Sequence, residues 1–528
     1  MSPLSPATRD AALEALGSAH VDVLVVGGGI TGAGIARDAA LRGLSVALVE
    51  AIDFAAGTSS RSSKLIHGGV RYLAQGDVAL VREAAAERLV LKRIAPHLAT
   101  SMPMLIPTYG RGTHLKLSAG LWTFEKLVTV DDGDRHRMLD HSEALVAEPC
   151  LASERLFGAA VYGEYLTDDA RLVLDNVRAA HLAGALCTNH AEVTAIERGS
   201  AVVRDALSGS ERRVRARVIV NAGGPWADEV ERRAGVTGGL RLQLTKGVHL
   251  VVPHERLPVR HAVVMTAGDK RSVFVVPRDE VTYIGTTDTL FGGPVLNPGI
   301  GRDDVAYLLE AVNRTFAGPS IAERDLVGAW AGLRPLLAQE GKTPSEISRR
   351  DEVVVDDATG LVSIAGGKLT AYRTMAARVV DLVCERLGRR DLPCRTDELP
   401  LPSARGPLPA ERDLDMALPG LGSLEAGRLV RLYGVDALDV ARRAAATGGV
   451  SALRRAQVEH AIEHEMALTL EDILERRLRV LLFDAGQGLA VAEEAAALAA
   501  QRLGWNRERT TRELEDYRRL ADTLRSYA

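Results

Sequence analysis

Residues 21–50, VDVLVVGGGITGAGIARDAALRGLSVALVE, leave the chain few folds to choose from. The apolar run Val21–Val26 leads into Gly27, Gly29 and Gly32 in G-x-G-x-x-G spacing, then a helix-like face of Ile35, Ala36, Ala39, Ala40 and Leu44. A run that is apolar throughout, and not alternating, is what a parallel strand covered on both faces requires. LSVALVE supplies a second such strand, ending at Glu50. Strand, glycine turn, helix and strand make a dinucleotide-binding unit: the first glycine allows the tight turn, the second lets backbone approach a pyrophosphate, and the third lets helix pack on strand. A diphosphate would sit at the helix start beside Ile30 and Thr31, where free N–H groups and the helix dipole favour negative charge. Glu50 stands where an acid can accept the ribose hydroxyls of an adenosine and disfavour a 2′-phosphate. A purely structural glycine turn would need no acid there. The motif alone does not separate FAD from NAD.

That choice falls to the next stretch, which contains SSRSSKLIHGGVRYL, residues 59–73. An NAD enzyme needs no second phosphate-handling loop at this point. A flavin also requires contacts to its ribityl hydroxyls, its second phosphate and one face of its ring. Thr58, Ser59, Ser60 and Ser62 offer hydroxyls for the first two tasks, and Gly68-Gly69 would let main chain lie flat against the ring. A solvated serine loop is the plain alternative, but the Leu65-Ile66 pair and the Gly-Gly before an aromatic are unusual in one.

Farther along, residues 77–95 predict a long helix closed by Pro96, and residues 185–290 take on a β texture. AEVTAIERGSAVVRDAL looks like a hairpin, and GVHLVVP, RSVFVVP and VTYIGTTD read as short strands. Proline and charge gather at 391–409, and the chain beyond is almost wholly helical in pattern. Ser5-Pro6 predicts an N-cap and first turn for a short leading helix. The start lacks the basic and apolar regions of a secretory signal, no apolar run is long enough to span a bilayer, and four cysteines show no metal spacing. A cytoplasmic, reducing location is the expectation, with no metal. A net charge of −4 without a dominant basic cluster gives no case for nucleic acid.

GGGITGAGIARDAALRGLSVALVE, TSSRSSKLIHGGVRYL, VNAGGPWAD, LTKGVHLVV, IGTTDT, GLRPL, SRRDE and GGKLTAYRTMA occur in this order. Together they resemble the FAD-dependent, quinone-linked glycerol-3-phosphate dehydrogenases of the D-amino-acid-oxidase-like flavoproteins. The tail, from EHEMALTLEDILERRLRVLLFDAG onward, is similar to that family's C-terminal region. The resemblance spans residue 20 to about residue 520. It implies an α/β chain: a Rossmann-like FAD-binding domain of discontinuous segments, an inserted β-rich substrate domain, and a C-terminal all-α domain. The body is expected at 20–403 and the helical domain at 404–528. The implied flavin contacts extend to Ser63, Lys64, Leu65, His67, Val193, Ala222, Gly223, Gly367, Lys368, Leu369 and Thr370.

The substrate implied is sn-glycerol 3-phosphate, a phosphate dianion with a secondary alcohol, oxidised to dihydroxyacetone phosphate. Arg334, held by Pro335, offers the planar fork suited to an anion. Arg71, Tyr72 and Arg349 match other positions of the family pocket; Arg349 has Arg350 beside it, and alternation turns one inward and one to solvent. Lys368 matches the position that meets the flavin's N1–C2=O edge, where it can stabilise reduced-flavin charge. In TKGVHLVV, alternation puts Thr245, Gly247 and His249 on one strand face. His249 is either a satisfied core histidine or, as the resemblance favours, the general base for the hydroxyl proton. Asp288 is expected to orient an arginine or histidine. His67 is expected in the flavin wall without a catalytic role.

Electrons are expected to pass to a membrane quinone. Residues 114–128 place Leu117, Leu121, Phe124 and Val128 on one helical stripe, with Trp122, Lys116 and Lys126 around it. Such a helix either lies peripherally on the inner face of the cell membrane or covers its own core. The resemblance also leaves room for a homodimer. A rival reading is a glycerol-3-phosphate oxidase that passes electrons to O₂ and makes H₂O₂; no long interruption between the motifs supports it. An amine or amino-acid oxidase would share the turn and Arg334 but not Lys368 or the tail. A flavin-binding sensor without turnover would need no cationic pocket.

Overall fold

The computed structural model of the chain describes residues 2–67, 77–338 and 351–527. Strands β1 (His20–Val26) and β2 (Val46–Val49) flank helix α1 (Ile30–Leu41), as the glycine motif predicts. β1 runs parallel to β2 on one side and to β3 (Glu211–Asn221) on the other, with Val23 opposite both Val46 and Val218. Strands Leu186–Thr188 and Val362–Ala365 extend this parallel sheet outward. Val23 and Val25 pack beneath α1, α2 (Asp169–Leu182) and the helix Tyr372–Arg386, while Leu24 and Val26 enter a second core on the opposite face with Leu13 and Leu16. This two-sided burial is why the run does not alternate. Each fully buried Val or Leu contributes roughly 1.5–3 kcal/mol. Its strands come from well-separated parts of the chain, so the layer is discontinuous.

The second sheet is mainly antiparallel. Its β4 (Leu242–Pro253) pairs with Val281–Gly285 and, from Leu242 to Val251, with β5 (Gly328–Leu337). The pairing continues through Ser272–Arg278, Ala262–Thr266, Thr100–Thr108 and Gly158–Leu166 to an edge strand, Leu65–Ile66. The serine-rich segment therefore runs from the end of β2 in one sheet to the margin of the other. The hairpin Ala191–Glu197/Ser200–Asp205 forms, but it joins the first sheet by pairing antiparallel with β3, Ala201 opposite Val214. Its alternation announced a hairpin and carried no information about which sheet would receive it.

The predicted helix near 77–95 is observed as Val78–Ile94, its first turn held where Asp77 Oδ1 accepts the Leu80 N–H at 3.1 Å. Ser5 caps the leading helix Pro6–Leu16, which has Pro6 in its first turn. From Glu411 onward the described residues form helices in two groups. One has its own core, including Leu414, Leu429, Val440 and Ala456. The other, with Ile473, Leu474, Leu481 and Phe483, shares a core with Tyr283 and Trp330 of the second sheet. The expected class is borne out: α/β with a discontinuous Rossmann-like layer, a β-rich second layer and an all-α C-terminal part.

Candidate active site

A cavity of about 870 Å³ lies between the two sheets. From the first layer it is lined by Gly27, Gly29, Ile30, Thr31, Glu50, Val193, Ala222 and Gly223. The crossing segment adds Thr58, Ser59, Ser62, Ser63, Lys64, Leu65 and His67, and the turn after Val362–Ala365 adds Gly367, Lys368, Leu369 and Thr370. His249, Asp288 and Arg334 line it from the second sheet. Gly32 and Ser60 stand behind this surface. A Cβ on Gly32 would collide with the Gly27 carbonyl oxygen, so this glycine lets helix meet turn. Buried Ser60 directs its hydroxyl to the Gly57 carbonyl at 3.4 Å. Gly68, Gly69, Arg71, Tyr72 and Arg349 lie outside the described residues.

Gly27 takes φ +111°, and a Cβ there would stand 2.5 Å from the Ala222 carbonyl oxygen. Both Glu50 oxygens accept backbone bonds, Oε2 from Gly28 N–H at 2.6 Å and Oε1 from Ile52 N–H at 2.9 Å. Burial raises its pKa against the pull of those two donors. A carboxylate oxygen has two lone pairs, so each keeps acceptor capacity toward the cavity. At the start of α1, Ser59 Oγ accepts the Ile30 N–H at 3.0 Å. The other hydroxyls of the segment also have protein partners. Thr58 donates to the Leu333 carbonyl at 2.6 Å, Ser62 to Asp169 Oδ2 at 2.7 Å, and Ser63 Oγ lies 2.9 Å from His249 Nε2. The segment is thus tied to the second sheet and to helices α1 and α2 of the first layer by groups that, in sequence, resemble ligand contacts. Lys64 lines the cavity, yet its ammonium turns to Asp169 at 3.0 Å and the Ser60 carbonyl at 2.7 Å.

Across the cavity, strand register brings the second set together. Thr245, Gly247 and His249 on β4 stand opposite Arg334, Gly332 and Trp330 on β5. Glycines make the space. A Cβ on Gly247 would meet Arg334 Nη2 at 2.5 Å, and one on Gly285 would run into the His249 imidazole. Arg334 Nη1 pairs with Asp288 Oδ1 at 3.0 Å, and Nη2 donates to Thr286 Oγ1 at 3.2 Å. His249 is 2% exposed and stacks on Trp330, with ring centroids 4.7 Å apart and planes 13° from parallel. Its Nδ1 has no hydrogen-bond partner among the described residues. Burial, then the positive charges of Lys64 and Arg334, hold its pKa well below the ordinary imidazole value. The ring is therefore neutral near pH 7, with the Nδ1 side open toward a proton, while the same burial and charges make it a weaker base than a free imidazole.

Arg271 also lines the cavity, donating from Nη1 to the Asp288 carbonyl at 2.8 Å and from Nε to Asp269 Oδ2 at 2.6 Å. Nothing in its sequence context marks it out: it precedes an ordinary strand in a charged turn. Trp330, which carries the imidazole on its face, was equally silent, because only the register of β4 on β5 makes them neighbours.

A family model described as FAD dependent oxidoreductase (DAO) matches residues 22–373, and one described as C-terminal domain of alpha-glycerophosphate oxidase matches residues 394–510. The class is thus a two-part flavoprotein oxidoreductase. The aerobic glycerol-3-phosphate dehydrogenase of Bacillus subtilis is 38% identical, covering 97% of this chain and 96% of its own. That of Staphylococcus haemolyticus is 38% identical, covering 94% of each. The solved glycerol-3-phosphate dehydrogenase of Bacillus halodurans, complexed with FAD, superposes with a TM-score of 0.82 at 34% identity, covering 99% of this chain and 98% of that one. The L-alpha-glycerophosphate oxidase of Mycoplasma pneumoniae shares the fold, with a TM-score of 0.57 at 20% identity over 69% of this chain and 95% of its own. The chain belongs to the FAD-dependent glycerol-3-phosphate dehydrogenase family, and its cofactor is FAD.

The residues present fit that cofactor. The turn is cleared by glycines, the N-cap residue of the helix beyond it is Gly29, which has no side chain, and Gly366 and Gly367 take φ +81° and +87° on the cavity wall. The volume lies within the range of roughly 300–1,000 Å³ common for small-molecule sites.

Proposed function

We propose that the protein oxidises sn-glycerol 3-phosphate to dihydroxyacetone phosphate and delivers the electrons to a membrane quinone. The supporting observation is the meeting, in one cavity, of the glycine-cleared dinucleotide turn with neutral His249 and the Arg334–Asp288 pair. Oxidising a secondary alcohol removes the C2 hydrogen with its electron pair and the hydroxyl proton. FAD, when bound, supplies the acceptor for that hydride. Gly27, Gly29, Ile30, Thr31, Glu50 and the 58–67 segment would hold it on one side, and Val193, Ala222, Gly223 and residues 367–370 on the others.

His249 takes the hydroxyl proton at an imidazole nitrogen, with Ser63 and Trp330 fixing the ring. Arg334, steadied by Asp288 and Thr286, holds the substrate anion, a task the family resemblance also implies for Arg71, Tyr72 and Arg349. Lys368 supplies positive charge to the cofactor side. Residues 20–403 form the catalytic body and 404–528 the helical domain.

Among the described residues no helix is long and apolar enough to cross a membrane. The helix Arg111–Leu127 buries Leu121 and Phe124, while Leu115 and Trp122 are each 58% exposed and Lys126 lies 5.6 Å over the Trp122 ring. This face supports peripheral attachment to the cytoplasmic side of the membrane, which Trp122→Asp should weaken in vesicle co-sedimentation.

The second reading, an oxidase, is favoured by the description of the matched C-terminal model. Turnover of sn-glycerol 3-phosphate with a soluble quinone analogue or with O₂ separates the two. Fast turnover with the quinone and little H₂O₂ supports the dehydrogenase; the reverse ratio supports the oxidase.

A further inference from the structure

The back of the serine-rich segment rests on charges from the C-terminal helices. Residues Asp472–Arg477 form one π-helical turn, all six buried, and Arg479 follows at φ +64°. Glu475 pairs with Arg61 at 2.8 Å. Arg479 donates to the Ser60 carbonyl at 3.2 Å and pairs with Asp168 and Asp169, each at 3.1 Å. Arg476 meets Asp53 at 2.7 Å, and Arg477 binds the same carboxylate. These guanidinium groups already supply the positive charge that a metal would bring to the nearby Asp53–His190–Asp472 group.

The contacts converge on the turn that faces the cavity. Asp169 also accepts from the Ser62 N–H at 3.0 Å and pairs with Lys64. Ser63, between these anchored neighbours, is the residue whose hydroxyl meets His249. The Lys64 ammonium lies 5.2 Å from the ring of Trp330, on which His249 stacks.

Net stability does not account for so many buried charges. Replacing a buried ion pair by well-packed apolar groups is often neutral or stabilising by about 1–4 kcal/mol, whereas removing one partner costs about 3–5 kcal/mol. Such pairs fix direction and partner, which apolar packing does loosely. A segment rich in serine loses roughly 1–2 kcal/mol of backbone entropy per residue when ordered, so its geometry needs outside support. Single π-turns inside helices occur often at functional sites.

We propose that the tail segment 472–479 belongs to the active-site scaffold: Glu475 and Arg479 are positioning residues that fix the 60–64 turn and, through it, Ser63 and His249. The proposal rests on the reading of His249 as proton acceptor. Its test uses the full-length holoenzyme carrying Glu475→Gln or Arg479→Lys. The control is Asp38→Asn, which breaks a buried pair with Arg42 at 2.6 Å away from the cavity lining.

Three quantities are read: amide hydrogen exchange in residues 58–67, FAD retained per chain after gel filtration, and the anaerobic rate of flavin reduction by sn-glycerol 3-phosphate. Glu475→Gln should speed exchange in 58–67, lower FAD retention, and slow reduction on the order of 10- to 100-fold with substrate affinity little changed. Asp38→Asn should lower Tm without these effects. If Glu475→Gln does not fold, Arg479→Lys, which keeps the charge and loses the forked geometry, should move all three in the same direction. A lowered Tm with unchanged exchange, retention and reduction overturns the proposal. If wild-type flavin is not reduced at all, the functional reading fails, and exchange and retention alone decide whether the tail fixes the turn.

Discussion

The turn at 27–32 and the charged seam at 472–479 support the same cavity by opposite means. The turn works through backbone and missing side chains, and the side chains that accept its N–H groups are near in sequence: Gly28 to Glu50 spans 22 residues and Ile30 to Ser59 spans 29. The seam works through guanidinium and carboxylate groups whose partners are remote, 414 residues apart for Arg61–Glu475 and 424 for Asp53–Arg477. A motif can carry the first kind of support because glycine spacing alone dictates the local path. The second kind exists only after the chain has closed. The difference also sets how each should fail: the turn by losing the cofactor, the seam by losing alignment.

The turn should give the largest effect. Gly32→Ala drives a methyl into the Gly27 carbonyl, an overpacking that typically costs about 1–3 kcal/mol and here falls on the cofactor cradle. Protein that purifies should be nearly colourless; a full complement of FAD would mean the turn is not the cradle. Next, His249→Ala should slow flavin reduction by about 10²–10⁴-fold, the usual contribution of a general base, with substrate affinity nearly kept. Stopped-flow traces matching wild type would remove His249 from the chemistry.

Arg334→Ala should leave the protein yellow and lower kcat/KM on the order of 10²–10³-fold, as expected when one partner of a hydrogen-bonded charge pair is truncated. Normal turnover would place the anion site elsewhere.

The smallest effects are those of pH. His249 is held below the ordinary imidazole pKa by burial and by Lys64 and Arg334, so the reduction rate should stay flat as pH falls through about 6.5. The unfolded chain takes up a proton there and the folded one does not, so this residue should cost stability as pH drops below that value. Glu475 behaves separately. Although burial opposes it, Arg61 and Arg476 hold its pKa low, so the seam's contribution should persist until pH falls below about 4.3 and then be lost. Denaturant midpoints across this range, for wild type and Glu475→Gln, distinguish the two. A single transition shared by both proteins would deny the seam its own titration.

Much of this was legible in sequence wherever the determining chemistry is local. The unbroken apolar run of β1 announced burial on both faces, and Val23 and Leu24 do point into different cores. Alternation put Thr245, Gly247 and His249 together, and they share a register with Arg334, Gly332 and Trp330. The expected pairing of Asp288 with an arginine appears at 3.0 Å to Arg334. What stayed hidden depends on closure. The hairpin at 191–205 could not show that it joins the first sheet. The hydroxyls of Thr58, Ser62 and Ser63 looked available for a ligand, but Leu333, Asp169 and His249 lie within bonding distance of them. EDILERRLR has the charge density of a solvated helix face, yet Asp472 to Arg477 are all buried, because their counter-ions arrive from Asp53, Arg61 and His190.

A flavin held between the glycine turn and the His249–Arg334 wall is the central claim. Mixing the oxidised protein with sn-glycerol 3-phosphate in the absence of oxygen tests this directly. The yellow absorbance should bleach in a single turnover and dihydroxyacetone phosphate should appear in equal amount, while glycerol, lacking the anion, should leave the colour unchanged. Colour that persists with sn-glycerol 3-phosphate, or bleaches as readily with glycerol, would contradict the account.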